Sequence, residues 1–447
     1  MTGHDPEAIL ERALAAADAD EADAVVLVTD RNISRFANST IHQNMSETTA
    51  ELSLRVVVDG AFGLASTTVF DDDEIRRTAD LAREAARLAR PLPGFKGLYR
   101  QSEPPAVLET WDEATASIAP AEKARGLREV FDRGCRSSIE YAGSYTTSAM
   151  SVAAGNSHGV RRSCRATSAD ATLIAIHAEG SGYATRCART AEGAGVTELG
   201  DESATKATML LDARESFEPG RYEVILEPAA IAEVMDWMNM IAFSGQSFED
   251  GSSFFVGNIG SQILSDSLTI ADDATDPAFL PFPFDLEGFA KSRVALIERG
   301  VIRTPVVDKA WSDRLGIAPT GNAWHLGAPE HGSAFHLSIE PGSASREELI
   351  RSTERGVWVT RFNYVNGLLE PRTALMTGTT RDGTFLIRDG RIAGRLPNLR
   401  WTQSIVEALA NVAGLTAERR AVGTWYNPFG GTIAPTLKIR DWNFTSG

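Results

Sequence analysis

Cysteine is scarce in this sequence: there are three in 447 residues, at Cys135, Cys164 and Cys187. They are odd in number, they lie in the first half of the chain, and no two of them form a CxxC pair. This pattern argues against a disulfide framework and is typical of free thiols in a reducing compartment. We therefore expect a cytoplasmic protein.

Basic residues and long apolar runs are also lacking. The chain has 44 Lys and Arg against 60 Asp and Glu, which gives a formal net charge of −16. Binding to nucleic acid or to anionic lipid needs clustered cations, so this balance argues against both partners. No run approaches the ~20 apolar residues that span a bilayer, and the N-terminal stretch has no cationic segment followed by an apolar core. We expect neither a membrane span nor a signal peptide.

The patterns that are present predict an α+β fold. The helical patterns of the first half have apolar residues at helical spacing, and the clearest one also has an acidic first turn, a basic last turn and Pro91 beyond its end. The strand patterns alternate apolar and polar residues. Helices are predicted at 71–90, 119–134 and about 201–214, and strands at 24–30, 33–43, 49–67 and 141–189.

A change of composition at RESFEPGRY (214–222) predicts a domain boundary, because Pro and Gly there separate a helical pattern from an apolar run. The N-terminal α/β domain then covers residues 1–215, with helices packed on an antiparallel sheet. The C-terminal domain covers 216–447, where short strands alternate with Gly-, Asp- and Pro-containing turns and one helix is predicted at 401–413. We expect this second domain to be β-rich, antiparallel and barrel-like.

Two short motifs invite catalytic interpretations that their surroundings disfavour. GNSHG (155–159) matches the nucleophile elbow G-x-S-x-G, with Ser157 as the nucleophile, but a strand-like pattern follows it where the elbow needs a helix. We interpret it as a hairpin turn. Asp285 and Glu287 in FDLEG alternate along a segment that we predict to be extended, so their carboxylates would point to opposite faces.

Three of the seven histidines fall in WHLGAPEHGSAFH (324–336): His325, His331 and His336, with Glu330 among them. Imidazole and carboxylate are zinc ligands, which makes a metal site one interpretation. The spacing matches neither HExxH nor HxH, and a loop that contains Gly and Pro fixes ligands poorly. The other interpretation is a solvated loop that enters a strand at His336.

The segment EPAAIAEVMDWMNM (227–240) predicts a helix that is apolar around most of its circumference. Glu233 and Asp236 are three positions apart and share a face, and Asn239 extends them into a slanted polar stripe. Such a helix is buried or lies at an interface. Carboxylates without histidine suit Mg²⁺ or Ca²⁺ better than Zn²⁺, and the sequence places no further oxygen ligands nearby. We interpret the stripe, with His325 and His331, as candidate residues of a substrate cavity or a subunit interface.

The order of several motifs along the chain resembles that of the TldD/PmbA (TldE) family, the modulators of DNA gyrase, over almost the whole length. No single motif is diagnostic, but their order is. The motifs are RFANSTIHQN (35–44), RVVVDGAFGLAST (55–67), GNSHGV (155–160), FDLEG (284–288), LIERGVI (296–302), TGNA (320–323), EPGSASREELI (340–350), TRDGTFLIRDGRI (380–392), NLRWTQSIVEALANV (398–412) and IAPTLKIRDWNFTS (433–446).

The resemblance implies an α/β N-terminal domain, a β-rich C-terminal domain and assembly of two related subunits around an internal cavity. In the family, the TldD-type subunit carries HExxxH on a helix early in the second domain and a cysteine ligand further on. It binds a catalytic metal, generally zinc, and cleaves extended peptides. The PmbA/TldE-type subunit lacks this motif.

The corresponding helix here, AIAEVMDWMNM (230–240), contains no histidine, and the second domain contains no cysteine. A catalytic zinc usually has three protein ligands, so no catalytic residue and no metal ligand carries over from the family. The resemblance therefore implies a non-catalytic, TldE/PmbA-like subunit with no cofactor of its own. It would pair with a TldD-like zinc subunit and act on extended peptides or amide substrates. Two alternatives stay open: a homodimeric peptide-binding scaffold, and an independent hydrolase that uses His325, Glu330 and His331.

Overall fold

The computed structural model describes residues 5–100, 103–324, 332–424 and 426–446. The first half of the chain forms one antiparallel sheet with helices on one face. Its elements, in chain order, are α1 (Pro6–Ala16), β1 (Glu21–Ala37), β2 (Thr40–Val58), β3 (Ala61–Thr67), α2 (Asp72–Leu88), α3 (Glu113–Ala116), α4 (Pro120–Cys135), β4 (Glu140–Asn156), β5 (Arg161–His177), β6 (Gly180–Ala188) and α5 (Val196–Thr208).

The six strands are ordered β3-β2-β1-β4-β5-β6, and every neighbouring pair is antiparallel. Side chains alternate between the two faces, as the period of a strand requires. On β4, Tyr145 and Ala153 pack with the helices, whereas Met150 and Val152 pack with aromatic residues of the second half. The sheet is therefore buried on both faces, with helices on one side and the rest of the chain on the other.

The second half is built from a large mixed sheet and one central helix. Its elements are β7 (Gly220–Leu226), α6 (Pro228–Ile241), α7 (Gly245–Glu249), β8 (Ile270–Asp272), β9 (Val294–Glu298), β10 (Val301–Ile302), α8 (Lys309–Leu315), β11 (His336–Ile339), α9 (Arg346–Arg351), β12 (Arg355–Glu370), η1 (Pro371–Thr373), β13 (Leu375–Arg388), β14 (Arg391–Arg395), β15 (Arg400–Ser404), α10 (Ile405–Ala410), β16 (Val412–Thr424) and β17 (Asn427–Ser446).

The strands β17, β15, β13, β12 and β7 form a closed ring, because β7 pairs with both β12 and β17. This confirms the barrel-like second domain and the α+β class. The sheet is not wholly antiparallel, since β7 runs parallel to β12 and β11 runs parallel to β17. Ring closure satisfies the edge hydrogen bonds of the outer strands, which an open sheet leaves free.

Helix α6 lies against β12 and β17 in the main core of the second half. Pro228 occupies its first turn, where a missing N–H costs nothing, and the helix ends at Ile241. Most of its side chains are buried, including Ile231, Met235 and Met238. None of the described helices has the length and apolar character required to cross a bilayer.

Two predicted helices differ from the observed elements. The helix expected at about 201–214 is α5, which begins at Val196 after Gly195, whose φ of +61° ends the preceding turn. The helix expected at 401–413 is replaced by β15, the short α10 and the start of β16. Pairing of β15 with β13 outweighs the helical spacing of the local sequence. The hairpin turn predicted at GNSHG is confirmed, since it joins β4 to β5.

Candidate functional site

Helix α6 presents one face that is less buried than the rest. Glu233, Asp236, Trp237 and Met240 share this face, because residues three and four apart lie on the same side of a helix. Met240 is 63% exposed, and the other three are half-buried. The face therefore combines two carboxylates with two large apolar side chains, a composition suited to contact with another molecule.

Both carboxylates on this face hold their protons more tightly than a free carboxyl group. Burial raises the pKa of Asp236 to about 7, and the neighbouring charge of Glu233 adds to the rise. Burial also raises the pKa of Glu233, against the opposing effect of the Arg361 guanidinium. The Tyr426 hydroxyl lies 3.5 Å from Oδ1 of Asp236. With a pKa of about 7, the Asp236 carboxyl group is partly protonated at neutral pH.

Asn239 is more buried than the residues of this face. Its Nδ2 donates to the carbonyl of Ala334 at 2.8 Å and to Oγ of Ser333 at 3.1 Å, and its Oδ1 accepts from the Ala334 amide at 3.0 Å. Asn239 is 6% exposed. Asn239 therefore fixes α6 to the segment before β11, and its side chain also interacts with the Tyr426 hydroxyl that reaches Asp236.

The α6 face does not fit a catalytic zinc ion. It offers two carboxylates and no imidazole or thiolate, whereas catalytic zinc sites are built mainly from nitrogen and sulfur donors. Across the described ranges, no group of three or more His, Cys, Asp or Glu residues is placed to hold a metal ion. No chemical step can be assigned to a metal bound by these side chains.

Of the predicted histidine loop, His325, Glu330 and His331 lie outside the described residues. His336 is described, and it begins β11 with 3% of its surface exposed. Burial lowers the pKa of its imidazole to about 4, helped by the nearby Lys291 ammonium. The strand start predicted at His336 is confirmed, and its side chain is a buried, neutral imidazole.

A cavity of about 290 Å³ lies between the two halves. One wall is the face of the N-terminal sheet that carries Leu27, Thr29 and Val152, and the opposite wall includes Phe284 and Phe429. Tyr426 also lines the cavity and reaches Asp236, so the cavity adjoins the α6 face. Sequence patterns gave no sign of this cavity, because its two walls are more than a hundred residues apart.

The strand edge beside this cavity is open. Strand β3 pairs with β2 only over residues 52–58, and in the described part of the chain no strand pairs with the outer edge of residues 40–51. From His42 to Thr49 these residues are exposed. Glu47 and Thr49 on this stretch line the cavity. An open edge can bind an extended peptide as an added strand.

The FDLEG segment has an arrangement that sequence reasoning missed. It forms a turn, in which Oδ1 of Asp285 accepts from the amides of Glu287 and Phe289 at 3.0 and 2.8 Å, so the extended conformation predicted for it is wrong. Glu287 reaches Arg55 in the N-terminal sheet. Burial and the Glu287 charge raise the pKa of Asp285 to about 7. These residues hold the two halves together beside the cavity.

Two family profiles match the chain. The profile described as PmbA/TldA metallopeptidase C-terminal domain matches residues 219–446, about half of the chain, and that of PmbA/TldA metallopeptidase domain 1 matches residues 22–86. A metalloprotease of Methanothermobacter thermautotrophicus is 26% identical over 391 residues, which are 82% of this chain and 81% of the relative. Metalloprotease PmbA of Escherichia coli O157:H7 is 24% identical over 355 residues, 76% and 75% of the two chains.

Solved structures share the whole fold. TldE from Thermococcus kodakarensis superposes with a TM-score of 0.88 at 19% identity, over 98% of this chain and 99% of the other. A putative modulator of a DNA gyrase from Thermotoga maritima superposes with a TM-score of 0.86 at 19% identity, over 98% and 100% of the chains. At this identity, the similarity establishes the fold.

Proposed function

The chain belongs to the PmbA/TldD metallopeptidase family, and on that premise we propose that it is the non-catalytic, TldE-like subunit of a heterodimeric zinc peptidase for extended peptides. The observation that carries this proposal is the composition of α6. At the helix where the resemblance places the zinc motif of the catalytic subunit, this chain has Ala232, Glu233, Asp236 and Trp237 and no histidine. The amide of Asn239 is committed to holding β11 in place. Zinc is therefore assigned to a TldD-like partner.

The open edge of β2 supports a peptide as the substrate. Backbone groups of residues 40–51 can bind an extended chain without reading its sequence, because strand addition uses main-chain hydrogen bonds. The edge lies beside the cavity and near the α6 face. We infer that a peptide held there lies next to the partner subunit that supplies the zinc.

A surface for the partner subunit adjoins α6. Tyr364, Leu368 and Leu369 near the end of β12 are 87%, 60% and 46% exposed. They lie on either side of Gly367, which packs so closely against Trp237 of α6 that a Cβ there would lie 2.7 Å from the indole. Tyr364 also has a φ of +53°, which bulky residues rarely adopt. Apolar residues exposed together are typical of a subunit interface.

The first test is the metal content and activity of the chain by itself. Purified alone, it should contain no stoichiometric zinc by mass spectrometry and should cleave no casein-derived peptide. Co-expressed with a family member that carries HExxxH, it should elute with that chain in one peak from a sizing column, and the pair should be active. Separate elution at micromolar concentration would contradict the heterodimer and favour the homodimeric scaffold.

A matched pair of substitutions tests the interface. Leu368→Glu places a charge on the surface assigned to the partner and should weaken pairing at least about tenfold, because an unpaired charge at a buried interface costs several kcal/mol. Leu88→Glu is the control, since Leu88 is 89% exposed at the end of α2 in the first half. If both variants bind the partner with the same affinity, the interface lies elsewhere.

A substitution in the histidine loop tests the alternative that the chain is an independent hydrolase. On the proposed function, His331→Ala leaves the activity of the pair unchanged, because the partner supplies the metal ligands. Peptide cleavage by the isolated chain, lost on substitution of His331, would instead establish the hydrolase. We place the pair in the cytoplasm, since the free thiols Cys135, Cys164 and Cys187 suit a reducing compartment.

A further inference from the structure

The cavity between the two halves has a floor whose chemistry changes along β1. Leu27, Thr29 and Arg31 are alternate residues, so they point to the same face of the sheet. The register of β4 places Val152 beside Leu27 and Met150 beside Thr29. The floor is therefore apolar at Leu27, carries both a methyl and a hydroxyl group at Thr29, and is cationic at Arg31. Leu27 and Arg31 are about 13 Å apart along the strand.

The opposite wall is aromatic. The rings of Phe282 and Phe284 lie 5.6 Å apart, and those of Trp324 and Phe335 lie 4.5 Å apart. Phe429 packs in the same cluster and completes the wall. Aromatic side chains arranged in this way bind another flat ring through offset or edge-on contacts, worth about 0.5–1.5 kcal/mol for each pair beyond the burial of surface.

One buried acceptor in this wall has no donor. Asn322 is fully buried, and its Nδ2 donates to Asp272 at 2.7 Å and to the carbonyl of Ser333 at 3.0 Å. Within the part of the chain that the structure describes, its Oδ1 accepts no hydrogen bond. A buried acceptor without a donor costs about 1–3 kcal/mol. A ligand that brings an O–H or N–H group to this point recovers that free energy.

The cavity also lies where a bound peptide would direct a side chain. Glu47 and Thr49 line it, and both belong to the open edge of β2. Side chains of an added strand alternate between the two faces of the sheet, so every second residue of the peptide points toward the aromatic wall. A volume of about 290 Å³ is just below the range of ligand pockets, about 300–1,000 Å³, and suits one large side chain.

We propose that this cavity is a specificity pocket for an aromatic peptide side chain that carries a hydrogen-bond donor, tyrosine or tryptophan. The ring packs against the phenylalanine and tryptophan wall, and the phenol O–H or indole N–H donates to Oδ1 of Asn322. This inference rests on the proposed function for its peptide, and it adds a side-chain preference that the non-catalytic subunit imposes on the substrate.

The test uses the isolated, full-length chain and four peptides, acetyl-Ala-Ala-X-Ala-Ala-amide with X as Tyr, Trp, Phe or Ala, in competition with a fluorescein-labelled Tyr peptide. The Tyr and Trp peptides should bind at least about tenfold tighter than the Phe peptide, because a site built to bond a donor rejects the analogue that lacks it. The Ala peptide should bind most weakly. Equal affinity for all four peptides, equal affinity of Tyr and Phe, or no binding at all would overturn the proposal.

Two tryptophan substitutions give a matched comparison. Thr29→Trp fills the floor from a half-buried position and should reduce the preference for Tyr over Ala to within about twofold. Ser46→Trp adds the same side chain at an exposed position of β2, next to Glu47 but on the opposite face of the sheet, and should keep the preference. A preference that survives Thr29→Trp in a folded variant would also overturn the pocket. Because the measurement needs neither partner nor zinc, its failure is distinct from failure of the heterodimer.

Discussion

The guanidinium of Arg55 lies 2.6 Å from the carboxylate of Glu287, although the two residues are 232 positions apart in the chain. Both side chains are almost fully buried. Asp23 on the neighbouring strand binds the same guanidinium at 2.6 and 3.0 Å, and the second oxygen of Glu287 accepts from the Lys309 amide at 3.0 Å. This buried ionic cluster ties the N-terminal sheet to the second half beside the cavity.

Removing one charge from this cluster should destabilise the protein strongly. Glu287→Gln keeps the shape of the side chain and leaves Arg55 paired with Asp23, but it loses a buried charge-assisted hydrogen bond, so we expect the free energy of unfolding to fall by about 1.5–3 kcal/mol in urea denaturation. Glu340→Gln is the matched control, because Glu340 pairs with Arg293 at the surface, where such pairs contribute about 0–1 kcal/mol. Equal losses in the two variants would contradict a special role for the buried cluster.

The carboxyl group of Asp236 should make stability depend on pH. Its pKa is raised to about 7 by burial and by Glu233, so the folded state binds the proton more tightly than the unfolded state. The stability from this group is complete below the unfolded pKa of about 4 and is lost as pH rises through 7. From pH 5 to pH 8 the free energy of unfolding of the wild type should therefore fall relative to that of Asp236→Asn, which lacks the titrating group.

Glu233→Gln provides the internal comparison for this pH dependence. It removes the neighbouring charge that helps to raise the pKa of Asp236, so its stability should fall less steeply with pH than that of the wild type. Chemical denaturation at pH 5, 6, 7 and 8 measures all three proteins. Identical slopes for the wild type and Asp236→Asn would show that this carboxyl group is not the source of the dependence.

The contact between β3 and α2 should not tolerate a side chain at Gly63. A Cβ there would lie 1.9 Å from the carbonyl oxygen of Ala82 and 2.4 Å from the amide nitrogen of Ala86, and both are backbone atoms. We expect Gly63→Ala to lower the free energy of unfolding by more than about 2 kcal/mol. Gly126→Ala in α4 is the control, since a Cβ there meets nothing within 4 Å and should stabilise the helix by about 0.5–1 kcal/mol.

The buried amide of Asn239 should affect stability more than activity. Asn239→Ala loses three hydrogen bonds to Ser333 and Ala334, so we expect a loss of about 2–4 kcal/mol in urea denaturation. Asn44→Ala, at an exposed site that accepts one hydrogen bond from Ser34, should cost less than about 1 kcal/mol. Loss of the pair's activity in Asn239→Ala without loss of stability would show a functional role instead.

Local signals in the sequence were sufficient for many elements. The helix predicted at 71–90 is observed at Asp72–Leu88, where Asp71 accepts from the Glu74 amide and three acidic residues occupy the first turn. The hairpin at GNSHG and the β-rich ring of the second half were likewise predicted from turn residues and alternation. These features depend on neighbours a few positions apart, which the sequence displays directly.

Features that depend on distant parts of the chain were not predicted. The segment 401–413 has helical spacing, but pairing with β13 makes its first part a strand. The sequence placed Asn239 in the polar stripe of α6, but it gave no sign that this side chain would bond to Ala334, 95 positions further along the chain. His336 was expected at a strand start, whereas its burial depends on aromatic residues from other segments.

The sequence by itself determined the α+β composition, the family resemblance and the absence of histidine from α6, because each follows from residue identity and short spacing. Only the tertiary structure decided that Arg55 meets Glu287, that an aromatic wall faces β1, and that Asn239 bonds to the segment before β11. Those relationships arise from the packing of one domain on another, where contact depends on the path of the whole chain and leaves no periodic signal in any one segment.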